Sequence, residues 1–196
     1  MGRIKTISDH DVLDALLASM ETTGPDGLSF SKAAAAVGLS SATLVQRFGT
    51  REAMIRAVLL HAWDRLDALT AVADREAPAT PAGAIALLLR LMPGGMAEYS
   101  VTGGLLLLRE DFRDPVLRAR GHAWGSYLAK ALGSRLVSQA GSAERTGWQM
   151  LALWQGAILW WAFRRDGDPE DAIRSALEHW WHSIGGAKPA TGDPRV

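Results

Sequence analysis

The sequence predicts an all-α protein, in which a small three-helix N-terminal domain precedes a larger helical domain, with about nine helices in all. Apolar residues recur at spacings of three and four along almost every segment, and no run alternates as a half-buried strand would. Residues that favour turns separate these segments. The apolar fraction of 48% and the charged fraction of 21% are typical of a folded globular protein.

The elements follow from turn and cap signals along the chain. Helices are expected at 8–23, 29–37, 40–47, 50–73, 82–92, 96–112, 115–138, 142–165 and 169–184. Ser8 and Ser40 are candidate N-caps, and Gly38 can adopt the left-handed turn between the second and third helices. We therefore expect an N-terminal domain at 1–52, linked by a long helix at 50–73, a second domain at 53–186 and a flexible tail at 187–196.

Composition excludes several classes of protein. The chain has no cysteine, so it can form neither a disulfide scaffold nor a thiolate metal site. Its most apolar stretch, 151–163, is too short to cross a bilayer and contains Gln155 and Gly156. No apolar leader follows Met1. These features predict a cytoplasmic protein without a membrane partner.

Residues 29–48 have the properties of a helix-turn-helix. Small alanines allow two short helices to approach closely, Gly38 makes the turn, and Leu39, Leu44 and Phe48 fill the seam between them. The formal net charge of the chain is zero, but the charged residues from Lys32 to Arg51 are all positive. The pattern therefore predicts a local surface for double-stranded DNA rather than a basic protein.

The predicted DNA contacts lie on the outward side of this unit. Thr43 and Gln46 can donate to base edges or phosphates, Ala42 can touch a thymine methyl, and Arg47 can bind guanine or phosphate. Thr50 and Arg51 begin the next helix, whose N-terminus favours a phosphate. The predicted DNA-binding residues are Ser29, Ser31, Ser41, Ala42, Thr43, Val45, Gln46, Arg47, Thr50 and Arg51.

The stretch from Gly24 to Met54 resembles the DNA-binding domain of the TetR family of transcriptional regulators. That domain contains Ala-Gly-Val-Ser, then Thr-Leu-Tyr-x-His-Phe and Ser-Lys-Glu-x-Leu. The positions that match in place or by close chemistry are Gly38, Leu39, Ser40, Thr43, Leu44, Phe48, Thr50, Arg51 and Glu52. The resemblance is specific over residues 8 to about 57. Beyond them it rests on helix order and length and on the segment 110–118, which is similar to a joint between two regulatory-domain helices in many family members.

This chain also departs from the family pattern. Ala33 replaces the usual Ile, Val45 the Tyr, Arg47 the His and Arg51 the Lys. The family's Tyr, His and Lys mostly contact phosphate, so the resemblance implies DNA binding without fixing the affinity or the operator. It further implies a repressor that binds a pseudo-palindromic operator as a homodimer and is released by a small, largely apolar effector.

The last two predicted helices carry more aromatic surface than one core of this size can cover. Residues 147–164 are apolar all round, and tryptophans lie close together near the end of the final helix. In TetR-like proteins the last two helices pair with those of a second subunit, and aromatic residues are favoured at such interfaces. Packing within a monomer is the alternative. The predicted dimer-interface residues are Ile158, Trp161, Ile173, Leu177, Trp180, Trp181 and Ile184.

The middle of the chain is expected to enclose the effector. Binding pockets are apolar with a few polar groups, and each candidate could equally be a core residue. The predicted pocket residues are Met92, Met96, Tyr99, Trp124, Tyr127 and Trp154. The dimer could hold its two DNA-binding helices at either of two spacings, and an effector that fits one spacing better would favour it. The long helix at 50–73 could transmit this change because it belongs to both domains.

Two other functions remain open from the sequence. Glu178 and His182, four apart, and His179 and His182, three apart, could each face a metal ion, but no second Glu-x-x-His element accompanies them. No nucleophile or cofactor motif is present, so we expect no enzyme, no cofactor and no metal. The other alternative is a helical small-molecule-binding or protein-interaction module that has lost DNA binding, which the absence of Tyr at Val45 favours.

Overall fold

The computed structural model describes residues 7–92, 107–137 and 140–185, and every regular element in these ranges is an α-helix. The helices are α1 (Asp9–Gly27), α2 (Phe30–Val37), α3 (Ser41–Phe48), α4 (Arg51–Glu76), α5 (Pro81–Arg90), the described part of α6 (107–113), α7 (Pro115–Leu136), α8 (Ala140–Arg164) and α9 (Pro169–Ser183). The predicted all-α class is therefore confirmed. None of the described helices is both long and apolar enough to cross a membrane.

Side-chain caps explain where the helices begin. Ser8 accepts a hydrogen bond from the Asp11 backbone N–H, and Thr80 and Asp168 cap α5 and α9 in the same way. The first helix differs from its predicted end near Thr23. Its backbone breaks at Gly24, with a φ of 70°, and one further turn continues to Gly27. Glycine permits this left-handed conformation at little cost, so the chain bends there without a loop.

The chain divides into two compact units. Among the described residues, the first comprises those up to Ala71 together with 107–124, and the second comprises Val72–Met92 and those from Gly125 onward. The core of the first unit is built from α1, α2, α3, α4 and the start of α7, with Leu16, Met20 and Leu44 fully buried. This division reflects which residues pack together and does not show where a DNA-binding domain ends. The predicted domain boundary at residue 52 therefore stays a prediction.

The second unit is held together by α5, α8 and α9. Ile173 and Leu177 of α9 are fully buried, and α9 packs against both α5 and α8. Helices α7 and α8 cross closely at glycines. A Cβ at Gly147 would lie 1.8 Å from the Ala129 carbonyl oxygen, and one at Gly133 would lie 2.1 Å from that of Ala143. Only a residue without a side chain allows the two backbones to approach this closely.

Candidate nucleic-acid interface

Helices α2 and α3 form the predicted helix-turn-helix. The Ser29 hydroxyl caps α2 by accepting from the Lys32 N–H, and the Ser40 hydroxyl caps α3 by accepting from the Thr43 N–H. Gly38 ends α2 in the left-handed conformation, with a φ of 70°, and its N–H donates to the Ala34 carbonyl. The sharp turn between the helices therefore depends on a residue that tolerates a positive φ.

Helix α3 has one buried side and one exposed side. Leu44 is fully buried in the core of the first unit, and Phe48 packs against that core from its edge. The residues that share the outer side are all exposed, and they are Ser41, Ala42, Thr43, Val45 and Gln46. Val45 is 44% exposed, which is a large fraction for an apolar side chain. The outer side of α3 is thus available to a partner, as its sequence predicts.

The direction of Arg51 differs from the sequence prediction. Its guanidinium points back into the first unit, where Nε donates to the Leu28 carbonyl at 2.8 Å and Nη2 donates to the Pro25 carbonyl at 2.6 Å. These carbonyls belong to the last turn of α1 and the residue that follows it. Arg51 therefore ties the start of α4 to the end of α1, and its predicted phosphate contact stays a prediction.

Arg47 does not face outward as the sequence predicts. Its Nε lies 3.1 Å from the Asp9 carboxylate, Nη2 donates to the Ile7 carbonyl at 3.5 Å, and only a quarter of the side chain is exposed. Nη1 is buried without a hydrogen-bond partner among the described residues. The guanidinium is attracted to the first turn of α1 because Asp9 places a carboxylate within reach of the last turn of α3. Arg47 would have to leave Asp9 to bind DNA.

The remaining predicted DNA contacts lie around α3 on the surface. Ser29 and Ser31 are exposed at the start of α2, beside the exposed Lys32. Thr50 is exposed as well, and its hydroxyl accepts from the Ala53 N–H at the beginning of α4. With Arg47 and Arg51 engaged within the fold, Lys32 is the exposed cation that the α2–α3 region of the described structure offers to a phosphate.

The predicted pocket residues are not brought together in a single described site. Met96 and Tyr99 lie outside the described residues. Trp124 is buried in the first unit, where its indole N–H donates to the Thr70 hydroxyl at 3.0 Å. Met92 is half-buried in the second unit, and Tyr127 is exposed there, with its hydroxyl donating to Asp74 at 2.7 Å. The pocket assignment stays a prediction.

Trp154 is the pocket candidate with an unusual environment. Its side chain is 5% exposed, and its indole N–H has no hydrogen-bond partner among the described residues. A separate cavity of about 280 Å³ occurs in the first unit, between α4 and the 110–117 segment, and charged side chains such as Arg56, Glu110 and Asp114 line it. None of the predicted pocket residues contributes to that cavity.

The predicted dimer surface is corrected in part. Ile173 and Leu177 are fully buried inside the second unit, so they support α9 from within and lie on no outer surface. Ile158, Trp161, Trp180 and Trp181 are half-buried, and Ile184 is 49% exposed. Periodicity alone could not separate these positions, because both sides of the predicted helices carry large apolar residues.

The sequence prediction missed the most exposed aromatic pair of the second unit. Trp160 and Phe163 on α8 are 64% and 73% exposed, and their ring centroids are 5.5 Å apart. Their spacing of three residues places them on one helical side, which is the signal that could have revealed them. Exposed aromatic residues grouped in this way are typical of a surface that another protein covers.

No family model matches the chain, and no curated protein matches its sequence. Solved structures do match its fold. A transcriptional regulator from Rhodococcus sp. Rha1 gives a TM-score of 0.74 at 19% identity, covering 90% of this chain and 96% of that one. A protein from Mesorhizobium loti assigned to the TetR family gives 0.63 at 20% identity, covering 91% and 96%. The multidrug binding protein EbrR, complexed with imidazole, gives 0.62 at 21% identity, covering 96% and 100%.

Proposed function

We propose that this chain, whose fold is that of TetR-family transcriptional regulators, binds operator DNA as a homodimer and represses transcription until a small, largely apolar effector releases it. The observation that carries the proposal is the outer side of α3. This helix has eight residues, and five of them are exposed while Leu44 anchors the helix in the core. A short helix mounted in this way can enter a major groove without loss of packing.

The chemistry of the exposed α3 side chains suits base recognition. Gln46 can bond adenine in a bidentate manner, Thr43 can donate to a base or a phosphate, and Ala42 and Val45 can contact thymine methyl groups. Lys32 adds a phosphate contact beside them. The turn at Gly38 fixes α3 relative to α2, and the Arg51 hydrogen bonds tie the start of α4, directly after α3, to α1. Both contacts hold α3 in a defined orientation. Base recognition requires such an orientation because its hydrogen bonds are directional.

A homodimer is supported by the aromatic pair on α8. Trp160 and Phe163 expose most of their surface, and Trp161, Trp180 and Trp181 are each only partly covered within the described residues. Burial of such side chains in an interface is favourable by about 25 cal/mol per Å² of apolar surface. Two-fold pairing would also supply the second α3 that a pseudo-palindromic operator needs, roughly 34–36 Å from the first.

The effector is supported by the buried indole of Trp154. A buried N–H without an acceptor costs about 1–3 kcal/mol, and an acceptor atom on a bound molecule would remove that cost. EbrR, which shares the fold, is itself a multidrug binding protein solved with imidazole. Titration of the Trp154→Phe variant and of the wild type with candidate amphipathic molecules tests this, and equal affinity for every such molecule would exclude the indole from the effector site.

DNA binding is tested with a pair of exposed glutamines. Gln46 lies on the outer side of α3 and Gln149 lies on α8, so Gln46→Ala and Gln149→Ala remove the same group in two places. We expect Gln46→Ala to lower the affinity for the selected operator by about 1–3 kcal/mol and Gln149→Ala to leave it unchanged. The measurement is fluorescence anisotropy on duplexes selected from the host genome by the wild-type protein.

The lysines provide a second matched pair. Lys32 is exposed beside α3 and Lys130 is exposed on α7. Lys32→Ala should weaken binding to all sequences and reduce the slope of log K against log salt by about one, whereas Lys130→Ala should not. Equal salt slopes for both variants and the wild type would remove Lys32 from the interface.

The alternative function is a helical binding module that has lost DNA binding. Three observations favour it. Arg47 is engaged with Asp9 and Arg51 with the α1 carbonyls, which leaves fewer cations for phosphate. The exposed Val45 also lacks the hydroxyl of the usual Tyr. This alternative predicts that genomic selection by the wild-type protein enriches no sequence, while the protein still binds small molecules.

A further inference from the structure

Helices α1 and α4 bring three metal-ligating side chains together in the first unit. His10 and Asp14 are one helical turn apart on α1, and His61 approaches them from α4. One ligand atom from each of the three lies within 4.8 Å of the others. The sequence shows the spacing of His10 and Asp14 but not the approach of His61, because residues 47 positions apart give no pattern in the sequence.

The carboxylate of Asp14 lies between the two imidazole rings. His10 Nδ1 is 2.9 Å from Oδ2, and His61 Nε2 is 2.8 Å from Oδ1. The two rings meet edge to face, with centroids 4.8 Å apart. Two ring nitrogens and the Asp14 carboxylate, brought together by α1 and α4, therefore already lie close to one another.

We propose that His10, Asp14 and His61 form a binding site for a divalent transition-metal ion, with Zn²⁺ as its best occupant. Two imidazoles and one carboxylate are a ligand set that zinc uses in proteins, with water in the fourth position. Ligand atoms around tetrahedral zinc are about 3.4 Å apart, so the present separations, which reach 4.8 Å at most, need to change by no more than about 1.4 Å. Imidazole ligands disfavour Mg²⁺ and Ca²⁺, which prefer oxygen.

The surroundings fit such a site. The His61 side chain is 8% exposed and is held in position by packing, so it supplies a fixed ligand. The His10 side chain is 71% exposed, which leaves a path for the ion and room for a water ligand. Arg65 Nη1 lies 3.3 Å from Asp14 Oδ1 and orients the carboxylate from the solvent side. Its positive charge lowers the affinity for a cation, so we expect a reversible site rather than a permanent structural one.

An ion at this position would link the first helix of the unit to its longest helix. Because it would bind only the folded arrangement of α1 and α4, it would raise the thermal stability of the protein. The proposal does not depend on DNA binding, since none of the three residues belongs to the exposed side of α3.

The experiment is a zinc titration of the full chain without a histidine tag, after removal of metal with a chelator. A competing fluorescent zinc indicator gives the affinity and stoichiometry, and a thermal melt gives the stabilisation. We expect one ion per chain and a higher Tm with zinc, and no comparable effect with magnesium. His10→Ala, which changes an exposed side chain, should weaken zinc binding by at least about tenfold and abolish the rise in Tm.

His122→Ala is the matched control, because His122 is also an exposed histidine of the first unit and lies outside the cluster. It should bind zinc as the wild type does. His182→Ala tests the α9 side chains that the sequence raised as alternative ligands, because His182 belongs to both candidate pairs there. Loss of zinc binding in that variant with retention in His10→Ala would overturn the proposal. So would the absence of zinc binding, or equal zinc affinity in His10→Ala and the wild type.

Discussion

Replacement of Arg51 by alanine separates a structural role from a phosphate contact. In the structure the guanidinium donates two hydrogen bonds to main-chain carbonyls at the end of α1, at 2.8 Å from Leu28 and 2.6 Å from Pro25. Both bonds join segments that are more than twenty residues apart in sequence, so no local interaction replaces them. We expect Arg51→Ala to destabilise the folded protein even without DNA.

The magnitude follows from the two bonds. A hydrogen bond that involves a charged group contributes about 1.5–3 kcal/mol, and water replaces part of it because Arg51 is only half-buried. We therefore expect a loss of about 2–3 kcal/mol for both bonds together, which lowers the Tm by roughly 4–12 °C in a chain of this size. Arg51→Lys keeps the charge but has no planar fork, so it should lose about half as much.

Urea unfolding followed by circular dichroism measures these free energies. Arg75→Ala is the control, because it removes an exposed arginine from the other end of the same helix and should change the free energy of unfolding by less than about 0.5 kcal/mol. If Arg51→Ala unfolds like the wild type but loses DNA affinity, the side chain acts on phosphate and its structural assignment is wrong.

Three further perturbations test the packing, the dimer and the buried charge. Gly147→Ala should lower stability by about 2 kcal/mol because its Cβ would collide with a carbonyl oxygen at 1.8 Å, whereas Gly156→Ala on the same helix meets nothing and should be neutral or slightly stabilising in thermal melts. Phe163→Glu should weaken dimerisation at least thirtyfold, or about 2 kcal/mol, as measured by sedimentation equilibrium. Phe112 is similarly exposed in the first unit, and Phe112→Glu should leave dimerisation unchanged. Burial raises the pKa of the Asp111 carboxyl, so the folded protein holds that proton more tightly than the unfolded chain does. In parallel urea titrations, the wild type should therefore gain stability relative to Asp111→Asn as the pH falls toward 3.8. A constant difference between the two across pH would contradict this.

The helices were predictable because their signals are local. The observed bounds of α2 and α3 lie within one residue of the predicted ones, since Ser40 as a cap and Gly38 as a left-handed turn act on adjacent backbone groups. The long α4 runs three residues beyond its predicted end at Ala73, into a segment that was expected to be a loop. Pro78 and Pro81 mark a stop but do not fix the last helical turn.

The site was less predictable because it depends on contacts between distant residues. The outer side of α3 followed from helical periodicity, but the directions of Arg47 and Arg51 did not. Long side chains choose between solvent and any acceptor within reach, and here the acceptors, Asp9 and the Pro25 carbonyl, come from α1. For the same reason the cluster around Asp14 could not be predicted, because the approach of His61 from α4 to α1 has no signature in the sequence.

Hydroxyl-radical footprinting on a selected genomic duplex shows whether α3 of a dimer contacts the DNA, with the wild-type protein and Gln46→Ala measured side by side. We expect two protected patches on one side of the DNA, centred about one helical turn or a multiple of it apart, and weaker protection of both patches by the variant. A single patch, or protection by Gln46→Ala equal to that by the wild type, would contradict the assignment of α3 as the DNA-reading helix of a dimer.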